Sequence, residues 1–440
     1  MIQILTVGGY NEVGKNMTAV RYGDETVIFD MGLHLEKFIE YKGDEEAYKL
    51  SSEELMEIGA VPEDSVLQND NVIAIVPTHA HLDHVGAIPF LAKKYDAPII
   101  ATPYTAEIIE SLMLNYGKKM KNRIIRMKAG SKYLLSENLV LEFVNMTHST
   151  LNTVTAALHT PEGTVVYAND FKLDNAPSMG KKPDYAAIER IRSEGVKCLI
   201  MDSTYSRLKE RTPSESVAKK MLQDVLLETD TKGKAVIVTT FSSHIARLKT
   251  IVECGRKMGR EVVFLGRSLA RYVEAARNIG MAKFSEGIEI ARFGKQIGRK
   301  LKKISRQKDK YLLVVTGHQG EPEATLAKMA NGTYEFDFES GDIVVFSCKI
   351  IPNTLNRINR EKLEEQLERH KVRIFRDVHV SGHGAREDQR ELMRLFSPEH
   401  IVPSHGNIDM RTGLAELAKE EGYESERIHL SSDGEGIIID

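Results

Sequence analysis

Short apolar runs that close on Asp, His or Thr mark the first 200 residues: Thr26 to Asp30, Val72 to Thr78, Leu139 to Met146 and Thr164 to Asp170. Runs of this length bounded by polar residues predict strands, so polar side chains gather at strand ends. A helical pattern follows the second run, from His84 to Tyr95. Between His34 and Asp70 the chain is dense in Glu and Asp, with one amphipathic piece, Ser51 to Ile58, whose Ser51-Ser52-Glu53-Glu54 opening suits a helix start. That segment reads as an insertion in a sheet domain, either a solvated surface helix or a dimer contact.

From about Tyr205 the rhythm becomes strict alternation. Helical Ser214 to Glu228 precedes strand Ala235 to Thr240, and helical Ser243 to Met258 precedes strand Glu261 to Leu265. Strands Tyr311 to Thr316 and Asp342 to Ser347 follow, with helical Pro322 to Ala330 and Asn353 to His370. Alternating strands and helices predict a second domain on a parallel α/β sheet. After the strand Val372 to Asp377 the loops carry histidine again, in Ser381-Gly382-His383-Gly384 and Pro403-Ser404-His405-Gly406. The chain is therefore expected to return to the first domain.

Composition narrows the class. At 440 residues the chain exceeds what one core usually organises, and its 42% hydrophobic and 28% charged residues are those of an ordinary globular protein rather than a disordered one. No apolar stretch approaches a membrane span, and Met1 to Val7 lacks the basic flank and cleavage pattern of a signal, so a cytoplasmic protein without a membrane partner is expected. Cys198, Cys254 and Cys348 are widely spaced and form no CxxC pair, which argues against disulfides and thiolate zinc sites. A net charge of −3 argues against indiscriminate coating of nucleic acid. Any such site must be a confined groove, for which the basic runs Lys118 to Lys132 and Arg292 to Lys310 are candidates; solvated helix faces are the bland alternative.

One motif carries chemistry on its own. His79-Ala80-His81-Leu82-Asp83-His84 places four ligand-type residues within six positions just beyond a strand. His79 and His81, two apart in extended backbone, point the same way, and Asp83 and His84 follow where a helix begins. Such a turn can give two ligands to each of two metals about 3.5 to 4 Å apart. The ligands still missing should come from other strand ends, where His148, Asp170 and His405 stand. A ligand set rich in imidazole favours zinc over magnesium, with manganese as the alternative.

In order, Asp30, the His79 to His84 turn, His148 and Asp170 resemble the four metallo-β-lactamase motifs. Asp202 in Met201-Asp202-Ser203-Thr204, His383 and His405 resemble motifs A, B and C of the β-CASP nuclease family, and the likeness covers essentially the whole chain. Within that family, Gly8-Gly9-Tyr10-Asn11-Glu12-Val13-Gly14-Lys15-Asn16, Gly266-Arg267-Ser268 and Thr316-Gly317-His318-Gln319-Gly320-Glu321-Pro322 are similar to the ribonuclease J branch. The form implied is the short archaeal one, without the long carboxy-terminal extension of bacterial members. The resemblance implies an α/β fold class: a metallo-β-lactamase αββα sandwich over residues 1–205 and 371–440, with a β-CASP domain inserted over 206–370.

It also implies roles. Two Zn2+ ions are expected, one held by His79, His81 and His148, the other by Asp83, His84 and His405, with Asp170 between them and Asp30 orienting a ligand imidazole. Asp83, Asp202 and His383 form the catalytic set, with His383, kept basic by Asp202, as proton donor or phosphate clamp. Ser347, Ser381, Gly382, His383, Gly384 and Ala385 are expected to cradle a 5′ phosphate. The implied activity is that of a zinc-dependent 5′-to-3′ exoribonuclease of RNA decay or processing, with endonucleolytic cleavage as a second mode. Its implied partner is single-stranded RNA with a 5′-monophosphate end, and its implied assembly a homodimer. The alternatives are a β-CASP endoribonuclease or DNA-directed relative, a hydrolase of small esters, and an inactive RNA-binding subunit. Asp202, His383 and His405 weigh against the ester hydrolase, and the complete ligand set weighs against inactivity.

Overall fold

The computed structural model describes residues 1–42, 49–351 and 354–440. Residues 43–48 of the acidic segment and Asn353, where the sequence places a helix start, lie outside the described residues. The chain divides into two compact units, the first Met1–Asn175, Gly180–Thr212 and Gly382–Asp440, the second Ala176–Met179 and Pro213–Ser381.

In the first unit Glu435–Ile439, Ile2–Gly8, Met17–Tyr22, Glu25–Phe29, Asn71–Val76, Ile99–Ala101 and Ile124–Arg126 form a seven-stranded sheet in that spatial order. It is antiparallel as far as Glu25–Phe29 and parallel beyond. A six-stranded sheet orders His400–Ser404, Val196–Asp202, Gly163–Ala168, Val154–Thr160, Val140–Asn145 and Lys132–Leu134. The core lies between the two sheets: Val27, Phe29 and Val76 from one and Phe143, Tyr167 and Ile200 from the other are fully buried together, with the Phe29 and Tyr167 rings stacked at 5.2 Å. On its other face the six-stranded sheet buries Val166, Leu199 and Met201 against helices Tyr185–Glu194, Arg386–Phe396 and Ile408–Glu420. Burial on both faces makes these strands unbroken apolar runs rather than alternating ones. Two sheets packed face to face with helices outside are what the resemblance implies for this part of the chain.

The second unit is an all-parallel sheet in the order Glu289–Ala291, Glu261–Leu265, Tyr311–Val315, Val236–Thr239, Ile343–Phe346 and Arg373–Phe375. Every strand ends on the same edge, where Gly266-Arg267-Ser268 and Thr316 to Pro322 leave two of them. Gly266 has φ 152°, and a Cβ there would lie 2.4 Å from Thr316 Cγ2, so close approach of the two loops demands the glycine.

The elements differ from the sequence reading in three places. The helix expected from His84 to Tyr95 is three short turns, Leu82–Val85, Ile88–Leu91 and Ala92–Lys94, because Gly86 ends the first and Pro89 has no N–H to continue it. Arg373–Phe375 pairs with Ile343–Phe346, so the chain leaves the parallel sheet at Ser381 rather than after His370. Helices Arg267–Asn278 and Gly294–Ser305 complete the alternation; the sequence reading placed no helix at the first and offered a helix face at the second only as one alternative for its basic run. The helix Ser52–Glu57 has the expected start, with Glu54 N–H donating to Ser51 Oγ at 3.1 Å and Ser51 N–H to Glu54 Oε2 at 2.8 Å. Among the described residues no helix is long and apolar enough to cross a membrane.

Candidate metal centre

The ligand-type side chains of the first unit stand where its strands stop. Asp30 follows Glu25–Phe29, His79 comes after Asn71–Val76, and His148 after Val140–Asn145; Asp170 follows Gly163–Ala168, Asp202 closes Val196–Asp202 and His405 follows His400–Ser404. Asp30 and His405 adopt left-handed backbone, with φ of 58° and 54°, a conformation costly for residues other than glycine. Asp83 and His84 lie on the turn after His81, and backbone bonds lace that turn to its neighbours: Met31 N–H to His84 O at 2.7 Å, Leu33 N–H to Leu82 O at 3.0 Å and Asn16 N–H to Asp83 O at 2.9 Å. A Cβ on Gly32 would lie 1.7 Å from Asp83 O, so the segments can close only around a glycine.

The side chains gather in two groups joined by one carboxylate. His79 Nε2, His81 Nδ1 and His148 Nε2 converge, with 3.1 Å from His81 Nδ1 to each of the other two. Asp170 Oδ2 faces this group, 3.4 Å from His79 Nε2 and 3.3 Å from His148 Nε2. Asp170 Oδ1 faces the second group, 3.2 Å from His84 Nε2 and 3.6 Å from His405 Nε2. Asp83 Oδ2 completes that group at 3.5 Å from His84 Nε2 and 3.7 Å from His405 Nε2. Within each cluster the potential ligand atoms lie within 4.8 Å of one another.

The electrostatics fit a cation at each group. Burial holds the His79, His81 and His148 imidazoles below their ordinary pKa, hence neutral and able to ligate. His84 is pushed the other way: burial would depress it, but Asp170, Asp30 and Asp83 outweigh burial and raise it. For Asp83 and Asp170 burial opposes ionisation, yet His84 and His405 keep both carboxyls well below the usual range. Buried carboxylates crowded this closely need positive charge. Asp170 Oδ1 is buried without a hydrogen-bond partner among the described residues, and a metal ion is the kind of group that would satisfy it.

Each ligand nitrogen is aimed by a partner on the other side of its ring. Asp30 Oδ2 accepts from His84 Nδ1 at 2.7 Å while its Oδ1 takes Thr78 N–H at 2.8 Å. Gly382 O accepts from His148 Nδ1 at 2.6 Å, Ser149 Oγ meets His81 Nε2 at 3.3 Å, and Asn16 Oδ1 accepts from His405 Nδ1 at 2.7 Å. Such outer partners fix the tautomer that leaves the inner nitrogen's lone pair for a metal. Asn16, Ser149 and the Gly382 carbonyl had no such role in the sequence reading; the only signal for Asn16 was its place in the Gly8 to Asn16 segment.

Among the described residues a third group that could hold a metal is Asp170, His383 and His405, and Asp202 belongs to none of the three. It is fully buried, and its Oδ2 accepts from His383 Nδ1 at 2.8 Å, while His383 Nε2 lies 3.7 Å from Asp170 Oδ2. His383, 23% exposed, is held at a pKa of about 9, because Asp170 and Asp202 overcome the effect of burial. The expected phosphate cradle is less open. Gly384 N–H donates to Phe171 O at 2.7 Å, and Ala385 N–H is shared between Thr212 Oγ1 and Asp388 Oδ2. Ser347 and Ser381 belong to the second unit. There the Ser347 hydroxyl is fully buried, donating to Val378 O and accepting from Arg247. A phosphate held at these positions would have to take over existing bonds.

Comparison with known proteins agrees along the chain. Residues 10–182 match the metallo-beta-lactamase superfamily, residues 233–363 the beta-CASP domain of ribonuclease J, and residues 369–430 the Zn-dependent metallo-hydrolase RNA specificity domain. Ribonuclease J of Methanocaldococcus jannaschii is 45% identical over 99% of this chain and 98% of its own. Ribonuclease J of Pyrococcus abyssi is 46% identical over 96% and 94%. Ribonuclease J 1 of Streptococcus pyogenes is 30% identical over all of this chain and 74% of its own. A solved structure of a protein of unknown function from Enterococcus faecalis, 18% identical, shares the fold with a TM-score of 0.66 over 99% of both chains.

Proposed function

The chain belongs to the ribonuclease J family, zinc-dependent β-CASP ribonucleases of the metallo-β-lactamase fold, and on that premise we propose that it removes nucleotides from the 5′ end of single-stranded RNA, favouring a 5′ monophosphate, with two zinc ions. The two-ion reading rests on the division of Asp170, whose Oδ2 faces His79 and His148 while Oδ1 faces His84 and His405. His79, His81 and His148 would hold one ion, Asp83, His84 and His405 the other, with Asp170 between them.

Bound zinc would supply a lowered pKa for the attacking water and positive charge for the crowded phosphate oxygens. The rest falls to the chain. Asp30, Ser149, Gly382 O and Asn16 hold four imidazoles in register, so little reorganisation is needed when substrate arrives. His383 is the proton donor to the ribose 3′ oxygen as its bond to phosphorus breaks. Asp202 is the carboxylate on His383 that stands outside the ligand clusters, so it would keep the imidazole protonated even with Asp170 engaged as a ligand. The loop from Gly382 to Ala385 would receive the 5′ phosphate by exchanging the bonds described above.

The test is purified protein, with and without a chelator, on labelled RNA ending in a 5′ monophosphate, triphosphate or hydroxyl. Chelator-sensitive release of single nucleotides, fastest from the monophosphate, is expected. Internal fragments regardless of the 5′ group would replace the exonuclease with an endonuclease, and intact RNA in every arm would sink the proposal.

A further inference from the structure

In each of the two basic runs only some cations have a carboxylate partner: Arg126 and Lys132 in the first, and Arg292, Lys300, Lys302 and Lys308 in the second. Lys118 lies over the Phe90 ring at 5.3 Å, Arg126 pairs with Glu107 and Glu110, and Lys132 with Glu142. In the second unit the helix Gly294–Ser305 buries Ile297, Leu301 and Ile304, while Lys295, Arg299, Lys302, Lys303 and Arg306 are exposed. Arg299, Lys302, Lys303 and Arg306, with Gln307 and Tyr311, line a concavity of ≈ 430 Å³. Lys302 meets Glu335 at 2.7 Å, but among the described residues Arg299, Lys303 and Arg306 have no carboxylate within 4.0 Å. Cations three and four apart on a helix repel one another, and a hollow lined by one sign of charge concentrates ions of the other sign.

We propose that this hollow binds consecutive phosphates of single-stranded RNA, an inference that rests on the ribonuclease reading above. Between Arg299 and Arg306 the helix advances about 10 Å, so its cations reach beyond a single phosphate of a strand. Guanidinium forks at both ends suit phosphate oxygens. At the amino end of the same helix Phe293 is 54% exposed, with the Arg292 guanidinium 5.9 Å from its ring, and offers a face on which a base can stack. An acidic protein segment would match the charge but would have no use for that ring.

The experiment uses the zinc-loaded enzyme and a 5′-monophosphate RNA, with kcat and KM measured across a salt series. Arg299→Glu/Lys303→Glu/Arg306→Glu should raise KM about ten- to a hundredfold with kcat retained, and should flatten the slope of log(kcat/KM) against log salt by about two, since each single-strand phosphate contact contributes ~0.7. Arg299→Lys/Arg306→Lys, which keeps the charge, should retain the slope. All three substituted positions are exposed, and thermal unfolding of each variant verifies its fold. An active wild type with unchanged KM and slope in the triple variant overturns this site alone. A wild type that cleaves no RNA overturns the function proposed above and this inference with it. Unchanged RNA kinetics with lost binding of polyglutamate would give the hollow to an acidic protein and overturn the RNA assignment.

Discussion

Replacing Asn16 by alanine isolates a contact that touches a candidate ligand without being one. Asn16 is buried, its Oδ1 takes the His405 Nδ1 proton at 2.7 Å, and its Nδ2 donates to Asp83 O at 3.1 Å. Its backbone bonds to Asp83 and Gly32 do not depend on the side chain, so the loop survives the change. His405 Nδ1–H, in a ring that is 1% exposed, would be left without an acceptor at a cost of about 1–3 kcal/mol, or the proton would move to Nε2 and remove the lone pair a metal needs. Outer partners of metal-bound histidines are typically worth about 10- to 100-fold in affinity, about 1.4–2.8 kcal/mol, so the two estimates agree. Competition against a chromophoric chelator should therefore show one zinc equivalent weakened by that factor and the other near its wild-type affinity. Asn16→Asp keeps an acceptor for His405 but turns an oxygen toward Asp83 O, and should fall between the two. Wild-type affinity at both equivalents in Asn16→Ala would refute the assignment of His405 as a ligand aimed by Asn16.

Asp202→Asn should lower kcat by about 10²- to 10⁴-fold, the scale of general acid catalysis, with zinc content unchanged by mass spectrometry; zinc lost along with activity would make Asp202 a support of the metal site instead. In the second unit, burial alone would raise the Glu215 pKa, but His244 and Arg247 overcome it and hold the carboxyl below its ordinary value, with Arg247 Nε and Nη2 donating at 2.6 and 2.7 Å. A depressed folded pKa gives stability that is present above the unfolded value of about 4.3 and is lost as pH falls below it. Glu215→Gln should thus cost about 3–5 kcal/mol at neutral pH by leaving Arg247 buried and uncompensated, and the gap in thermal unfolding should close below about pH 4; a gap independent of pH would refute the pairing.

How much of the fold the chain discloses depends on how local the cause is. The capping box at Ser51 involves four residues and could be read directly. The alternation after Tyr205 also showed, but Gly294–Ser305 entered only as a basic run with a solvated helix face as one alternative, because its three buried positions, Ile297, Leu301 and Ile304, are outnumbered by cations. The broken helix after Leu82 followed from Gly86 and Pro89, whose breaking effect the apolar run from Val85 to Ala92 concealed. Arg373–Phe375 belongs with the parallel sheet only because Ile343–Phe346 pairs with it, which no window around residue 373 reveals.

The site divides in the same way. His79 to His84 is compact enough to announce a metal, and the strand ends offered His148, Asp170 and His405, yet what aims those residues is spread across the chain. Asn16 and His405 are 389 residues apart, and His148 and Gly382 are 234 apart. Asp and His tolerate left-handed backbone better than most residues, but both are commoner in ordinary conformations, so residue type alone does not mark Asp30 and His405. Strain at those two positions persists only where surrounding bonds overdetermine it, and here they do: Asp30 is fixed by Thr78 and His84, and His405 by Asn16. Gly32 completes the argument, because its missing Cβ lets the Asp30 segment reach Asp83 and Asn16 at once. The ligands therefore owe their common point less to their own motif than to backbone closures among three distant segments, and a change at Gly32 or Asn16 should disturb zinc binding although neither residue is a candidate ligand.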